Sequence, residues 1–108
     1  MKNLTMKDFS TLVGAGTGVV LLDFWAERCG PCMMLKPLLE NLSMDYAGKA
    51  EFYKVDTDTE GELSMQFSIR SIPTVILFVD GEVKEKIIWV QGADVYKQKL
   101  DQLITDAA

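Results

Sequence analysis

The chain has 108 residues, is 48% hydrophobic and carries a net charge of −5; one domain can bury its own core from this, and the sign of the charge argues against a nucleic-acid partner. No apolar run reaches the ~18–20 residues of a membrane span, and the N-terminal MKNLTMKDFS has no apolar segment of a secretion signal. Histidine is absent, which removes Cys-His and Ser-His nucleophile pairs and the commonest transition-metal ligand. A single domain over residues 1–108, in a reducing, cytoplasmic compartment and with no membrane partner, is therefore expected.

The elements follow in chain order. Thr5-Met6-Lys7-Asp8 resembles a capping box and opens a short helix to about Val13. Gly14-Ala15-Gly16-Thr17-Gly18 breaks it; no Gly-Lys-Ser/Thr follows, so this reads as a loop and not as a phosphate cradle. Val19 to Phe24 is continuously apolar except for Asp23, the pattern of a central strand buried on both faces. Met34, Leu35, Leu38, Leu39, Leu42 and Tyr46 recur at helical spacing and predict a helix from about Pro31 to Tyr46, kinked at Pro37. Glu51 to Asp56 predicts a second strand, Glu60 to Phe67 a short helix and Thr74 to Val79 a third strand. Asp80-Gly81 predicts a hairpin turn into a fourth strand, Glu82 to Val90, and Ala93 to Thr105 an amphipathic closing helix. Alternation gives parallel pairing first and the hairpin antiparallel pairing later, so the fold class is α/β, a central mixed β-sheet flanked by helices on both faces.

The only two cysteines fall in WAERCGPC, residues 25–32. A bridge across so short a loop removes little unfolded-state entropy, so chemistry explains the spacing better than stability does. A strand ending near Phe24 and a helix opening near Pro31 put Cys29 at a helix N-terminus, where unsatisfied amides and the macrodipole favour a thiolate. Cys32, one turn in, is shielded and keeps its proton longer. That asymmetry suits exchange: Cys29 attacks a partner disulfide, and Cys32 then attacks Cys29 to release the partner reduced. Pro31 has no amide hydrogen to lose in the first helical turn. One C-x-x-C supplies two ligands where zinc usually takes four, so no metal is expected.

WAERCGPC at a strand-to-helix turn, with Ile72-Pro73-Thr74 before a strand and Asp80-Gly81 in a hairpin, resembles the thioredoxin family along essentially the whole chain. The resemblance implies a thioredoxin fold and protein-disulfide reductase activity through a reversible Cys29–Cys32 disulfide, with no bound cofactor. It implies disulfide-containing protein substrates, a monomer, and electrons from thioredoxin reductase, an NADPH-dependent flavoenzyme. It assigns Asp23 as the buried acid that takes the proton of Cys32, with Lys54 as its companion, and Gly30 and Pro31 as tuners of the redox poise. It also implies a cis Ile72–Pro73 bond facing the cysteines, with Ile72 to Thr74 holding an extended substrate and Trp25 packed beside the pair. A disulfide isomerase or oxidant of the same fold, and a binding module without redox turnover, are the alternatives.

The sequence departs from the family pattern on the partner-facing side. Arg28 stands where tryptophan usually precedes the first cysteine, and Met33 where a lysine often follows the second. Arg28 is either a neutral surface change or a positive charge assisting Cys29 ionisation. Trp89 falls where the family usually has a glycine after the hairpin, unless the register slips and Gly92 takes that place.

Overall fold

The computed structural model describes residues 1–108. Its five strands are β1 (Lys2–Asn3), β2 (Val19–Trp25), β3 (Ala50–Asp56), β4 (Thr74–Val79) and β5 (Glu82–Ile88). They form one sheet in the order β1-β3-β2-β4-β5. Strand β3 runs parallel to β1 and β2, whereas β2–β4 and β4–β5 are antiparallel. The mixed sheet predicted from the alternation of elements is present. Strand β1 escapes sequence reading because two residues show no periodicity; it is held at the edge by pairing with Tyr53 and Lys54.

The helices are α1 (Met6–Phe9), α2 (Gly30–Asp45), α3 (Gly61–Gln66) and α4 (Ala93–Ala107). The Thr5 hydroxyl caps α1 by accepting from the Asp8 amide at 3.3 Å. The predicted helix to Val13 is not regular throughout: after Phe9 it widens into a π turn over Ser10–Gly14. Helix α2 runs through Pro37 without a break. No helix is long and apolar enough to cross a membrane.

Side chains alternate across the sheet, so each central strand feeds two cores. Val19 and Leu21 pack with Leu35, Leu39, Leu42, Tyr96 and Leu100 on the α2/α4 face. Val20, Leu22 and Phe24 pack with Leu4, Phe9, Val13 and Leu63 on the opposite face. There Phe9 and Phe78 each meet Phe67 edge-on, with ring centroids 5.3 and 5.4 Å apart. By the same alternation Asp23 falls on the α2 face, pointing beneath the cysteines.

The hairpin turn forms as predicted, with both Asp80 (φ 50°) and Gly81 (φ 83°) in the left-handed region. A Cβ at Gly81 would also collide with the Gly14 carbonyl. Strand β5 ends at Ile88 and not at Val90, because Trp89 turns to φ 70° and leaves the extended region.

Candidate active site

The strand β2 to helix α2 connection carries both cysteines. Cys29 is the N-cap of α2, in extended backbone, and the Cys32 amide donates to Cys29 Sγ at 3.1 Å. A first-turn amide that no helical carbonyl can satisfy is thus spent on the Cys29 sulfur, an arrangement that favours negative charge there. The two residues form a disulfide with their Cα atoms 5.2 Å apart. Cys29 retains 8% exposure and Cys32 only 1%, so Cys29 is the more accessible of the two. Gly30 and Pro31 supply the first two positions of α2.

Asp23 is buried in mid-sheet and pairs in register with Lys54 of β3. Together with Trp25, Cys32, Met33, Lys36 and Lys54 it lines a cavity of about 10 Å³. Neither Asp23 Oδ1 nor Trp25 Nε1 has a hydrogen-bond partner in the protein. Burial pushes the Asp23 carboxyl up to about 7, against the opposing pull of the Lys54 charge. The Lys54 ammonium lies 5.1 Å above the Trp25 ring, so the indole and the lysine close one side of the space between Asp23 and Cys32. A carboxyl titrating near neutrality has the affinity to take up a proton and give it up again, and this one shares a cavity with Cys32. Lys36 carried no signal in the sequence beyond its place one turn after Cys32; the helix brings it to the same cavity.

Across the pair, the Ile72–Pro73 peptide is cis. The Ile72 carbonyl oxygen is 3.8 Å from Cys29 Sγ, and neither backbone group of Ile72 bonds to another backbone group. Thr74, buried, anchors the segment through its hydroxyl, which donates to the Ser71 carbonyl at 2.7 Å. The structure therefore packs Trp25 and Ile72 against Cys29 and Cys32, with Asp23 and Lys54 in the cavity on the Cys32 side; Pro73 follows Ile72 through the cis bond, and Thr74 is buried at the start of β4.

A match to the thioredoxin family model covers residues 1–106. The chain belongs to the thioredoxin family. It is 44% identical over 86 residues to a thioredoxin of Staphylococcus haemolyticus, covering 80% of this chain and 83% of that protein. To a thioredoxin of Staphylococcus aureus it is 40% identical over 99 residues, 92% of this chain and 93% of that protein. To thioredoxin M2, chloroplastic, of Arabidopsis thaliana it is 42% identical over 96 residues, 89% of this chain. The chain spans only about half the length of this and a second chloroplastic relative, 52% and 54%.

Within this thioredoxin-family frame the departures take definite positions. Arg28 points its guanidinium at Asp58, Nη2 to Oδ1 at 3.2 Å, with both side chains well exposed. Asp58 offsets the charge that the sequence alone offers to Cys29. Trp89, not Gly92, occupies the left-handed position after the hairpin; Gly92 has φ −71° and caps α4. Asp58 was not legible as part of the site, because only folding brings it to Arg28 across 30 residues.

Proposed function

We propose that the chain is a thiol–disulfide oxidoreductase that reduces protein disulfides. One observation carries the reading: an α2 amide is committed to Cys29 Sγ while a buried carboxyl shares a cavity with Cys32. In the dithiol form the Cys29 thiolate attacks one sulfur of a substrate disulfide. The Cys29–substrate bond forms, the substrate's S–S bond breaks, and its first thiol leaves with a proton from solvent. Asp23 takes the proton of Cys32, whose thiolate attacks Cys29 Sγ; the Cys29–substrate bond breaks, and the second substrate sulfur leaves with the proton that Asp23 gives up, directly or through solvent. Two electrons and two protons pass to the substrate, and the Cys29–Cys32 disulfide remains.

In this reading Ile72, Pro73 and Thr74 hold the substrate backbone, supported by the unpaired backbone groups of Ile72. Trp25 and Lys54 shield the acid, and Gly30 and Pro31 shape the loop that sets the redox poise. The residues 1–108 act as one domain and a monomer in a reducing cytoplasm, re-reduced by thioredoxin reductase, an NADPH-dependent flavoenzyme. The test is a pair of single variants offered a disulfide-containing protein. Cys29→Ser is expected to abolish reduction, and Cys32→Ser to accumulate a covalent adduct with the substrate, visible by mass. Full reduction by Cys29→Ser would overturn the reading.

A further inference from the structure

The cleft beside the cysteine pair is basic on a chain that is acidic. It encloses about 410 Å³ between the loop after β3, helix α3 and the segment leading to Pro73. Its charged lining is Arg28, Arg70 and Asp58, a net positive set where the chain as a whole carries −5. The cleft adjoins the redox centre twice. Ile72 lines it and presents its carbonyl 3.8 Å from Cys29 Sγ, and Arg28 precedes Cys29 in the chain.

Arg70 is exposed and enters none of the ion pairs of the structure. Arg28 has one, to Asp58, through a single nitrogen. A guanidinium has five donors in a planar fork that matches a carboxylate, so both side chains retain donors free of any ion pair. Met65 and Ile69 supply an apolar wall for the carbon chain that bears it. The volume lies within the ~300–1,000 Å³ of ligand sites, and Ile72 joins the cleft to Cys29 Sγ.

We propose that this cleft is a carboxylate-binding subsite for the disulfide being reduced, with Arg70 and Arg28 holding an acidic group of the substrate close to its bridge. This rests on the oxidoreductase reading and adds a substrate class to it: disulfides flanked by a carboxylate. The group belongs either to an acidic residue of a protein substrate or to a small carboxylated disulfide, of which oxidised glutathione is the probe.

The experiment mixes the pre-reduced protein with two synthetic disulfide peptides that differ by Glu or Gln beside the bridge. A parallel arm compares oxidised glutathione with its tetramethyl ester, which carries no carboxylate, and single-turnover oxidation is followed by tryptophan fluorescence. At low salt the acidic substrate is expected to react about 2–5-fold faster, the range of an exposed ion pair, and the advantage to shrink in molar salt. Arg70→Gln is expected to cut the advantage by about half or more, with the rate on the neutral peptide unchanged. Asp58→Asn, which frees Arg28, is expected to raise the ratio about 2-fold or more. An advantage in the peptide arm alone assigns the subsite to protein side chains, and in the glutathione arm alone to small disulfides. No advantage in either arm, or one that Arg70→Gln leaves undiminished, would overturn the subsite. If the unaltered protein reduces none of the four substrates, the oxidoreductase reading falls and the subsite with it.

Discussion

The backbone amide of Trp89 donates to the carbonyl of Pro73 at 2.9 Å, and Trp89 holds φ 70° to do so. The Tyr96 hydroxyl secures the same turn, donating to the Trp89 carbonyl at 3.4 Å and accepting from the Gln91 amide at 3.2 Å. A bulky side chain in the left-handed region costs about 1–2 kcal/mol, and the indole recovers little of it, being 52% exposed. The turn thus keeps an aromatic side chain close to the Ile72–Thr74 segment at the expense of stability.

Trp89→Gly retains the amide that bonds Pro73 and removes the Cβ. Glycine's extra freedom in the unfolded chain takes back about 0.4–1 kcal/mol of the gain. A net stabilisation of about 0.5–1 kcal/mol is expected, read as a higher urea midpoint at unchanged slope. A lower midpoint would show that packing of the half-exposed indole outweighs the backbone cost.

Asp23 makes stability depend on pH in the direction opposite to an ion-paired carboxylate. Its carboxyl titrates near 7 when folded, against 3.8 for the free group. Between those values the folded chain keeps a proton that the unfolded chain has released, so stability falls as pH rises from about 4 to about 7 and levels off above. Three pH units correspond to roughly 4 kcal/mol at most. Asp23→Asn holds a neutral side chain of the same size at every pH. It is expected to match the parent near pH 4 and exceed it by several kcal/mol at pH 8, in denaturant titrations of the disulfide form. Equal pH profiles for the two proteins would show that Asp23 is not the group responsible.

The same substitution removes the base proposed for Cys32. General-base assistance is worth about 10²–10⁴-fold, so Asp23→Asn is expected to slow the second exchange step at pH 7 by about a hundredfold. The first step, attack by Cys29, is expected to change far less, because its amide donor from α2 is untouched. Quenched reactions with a protein disulfide would then show the mixed disulfide accumulating. Slowing of both steps alike would assign Asp23 a structural role instead.

The parts of the site that lie within one sequence stretch were legible before folding. Cys29, Pro31 and Cys32 carry their chemistry in their spacing, and Asp23 announces itself as the one charge in an apolar strand. The strands and helices follow from periodicity, with errors at the ends: β5 stops early at Trp89, and α1 loosens into a π turn. What stayed hidden depends on separation in the chain. Nothing in the sequence hints that Asp58 meets Arg28, that Arg70 shares its cleft, or that the Trp89 amide reaches Pro73. Each of these contacts exists only once the parallel β2–β3 pair and the β4–β5 hairpin have formed.

The Arg28–Asp58 pair limits what Arg28 does to the redox potential. Arg28 adjoins Cys29, the proposed nucleophile, but its guanidinium is 3.2 Å from a carboxylate, and both side chains lie largely in water, 71% and 49% exposed. An exposed pair is worth about 0.2–1 kcal/mol, and what remains at Cys29 after Asp58 offsets the charge is smaller still. On the scale where 30 mV corresponds to about 1.4 kcal/mol, removal of Arg28 moves the two-electron potential by less than about 20 mV. The direction is towards reducing, because loss of a positive charge destabilises the Cys29 thiolate of the reduced form. Equilibration of Arg28→Ala and the parent in glutathione buffers, read by tryptophan fluorescence, measures the difference directly. A shift of 50 mV or more would mean that Arg28 leaves Asp58 and engages the sulfur once the disulfide opens.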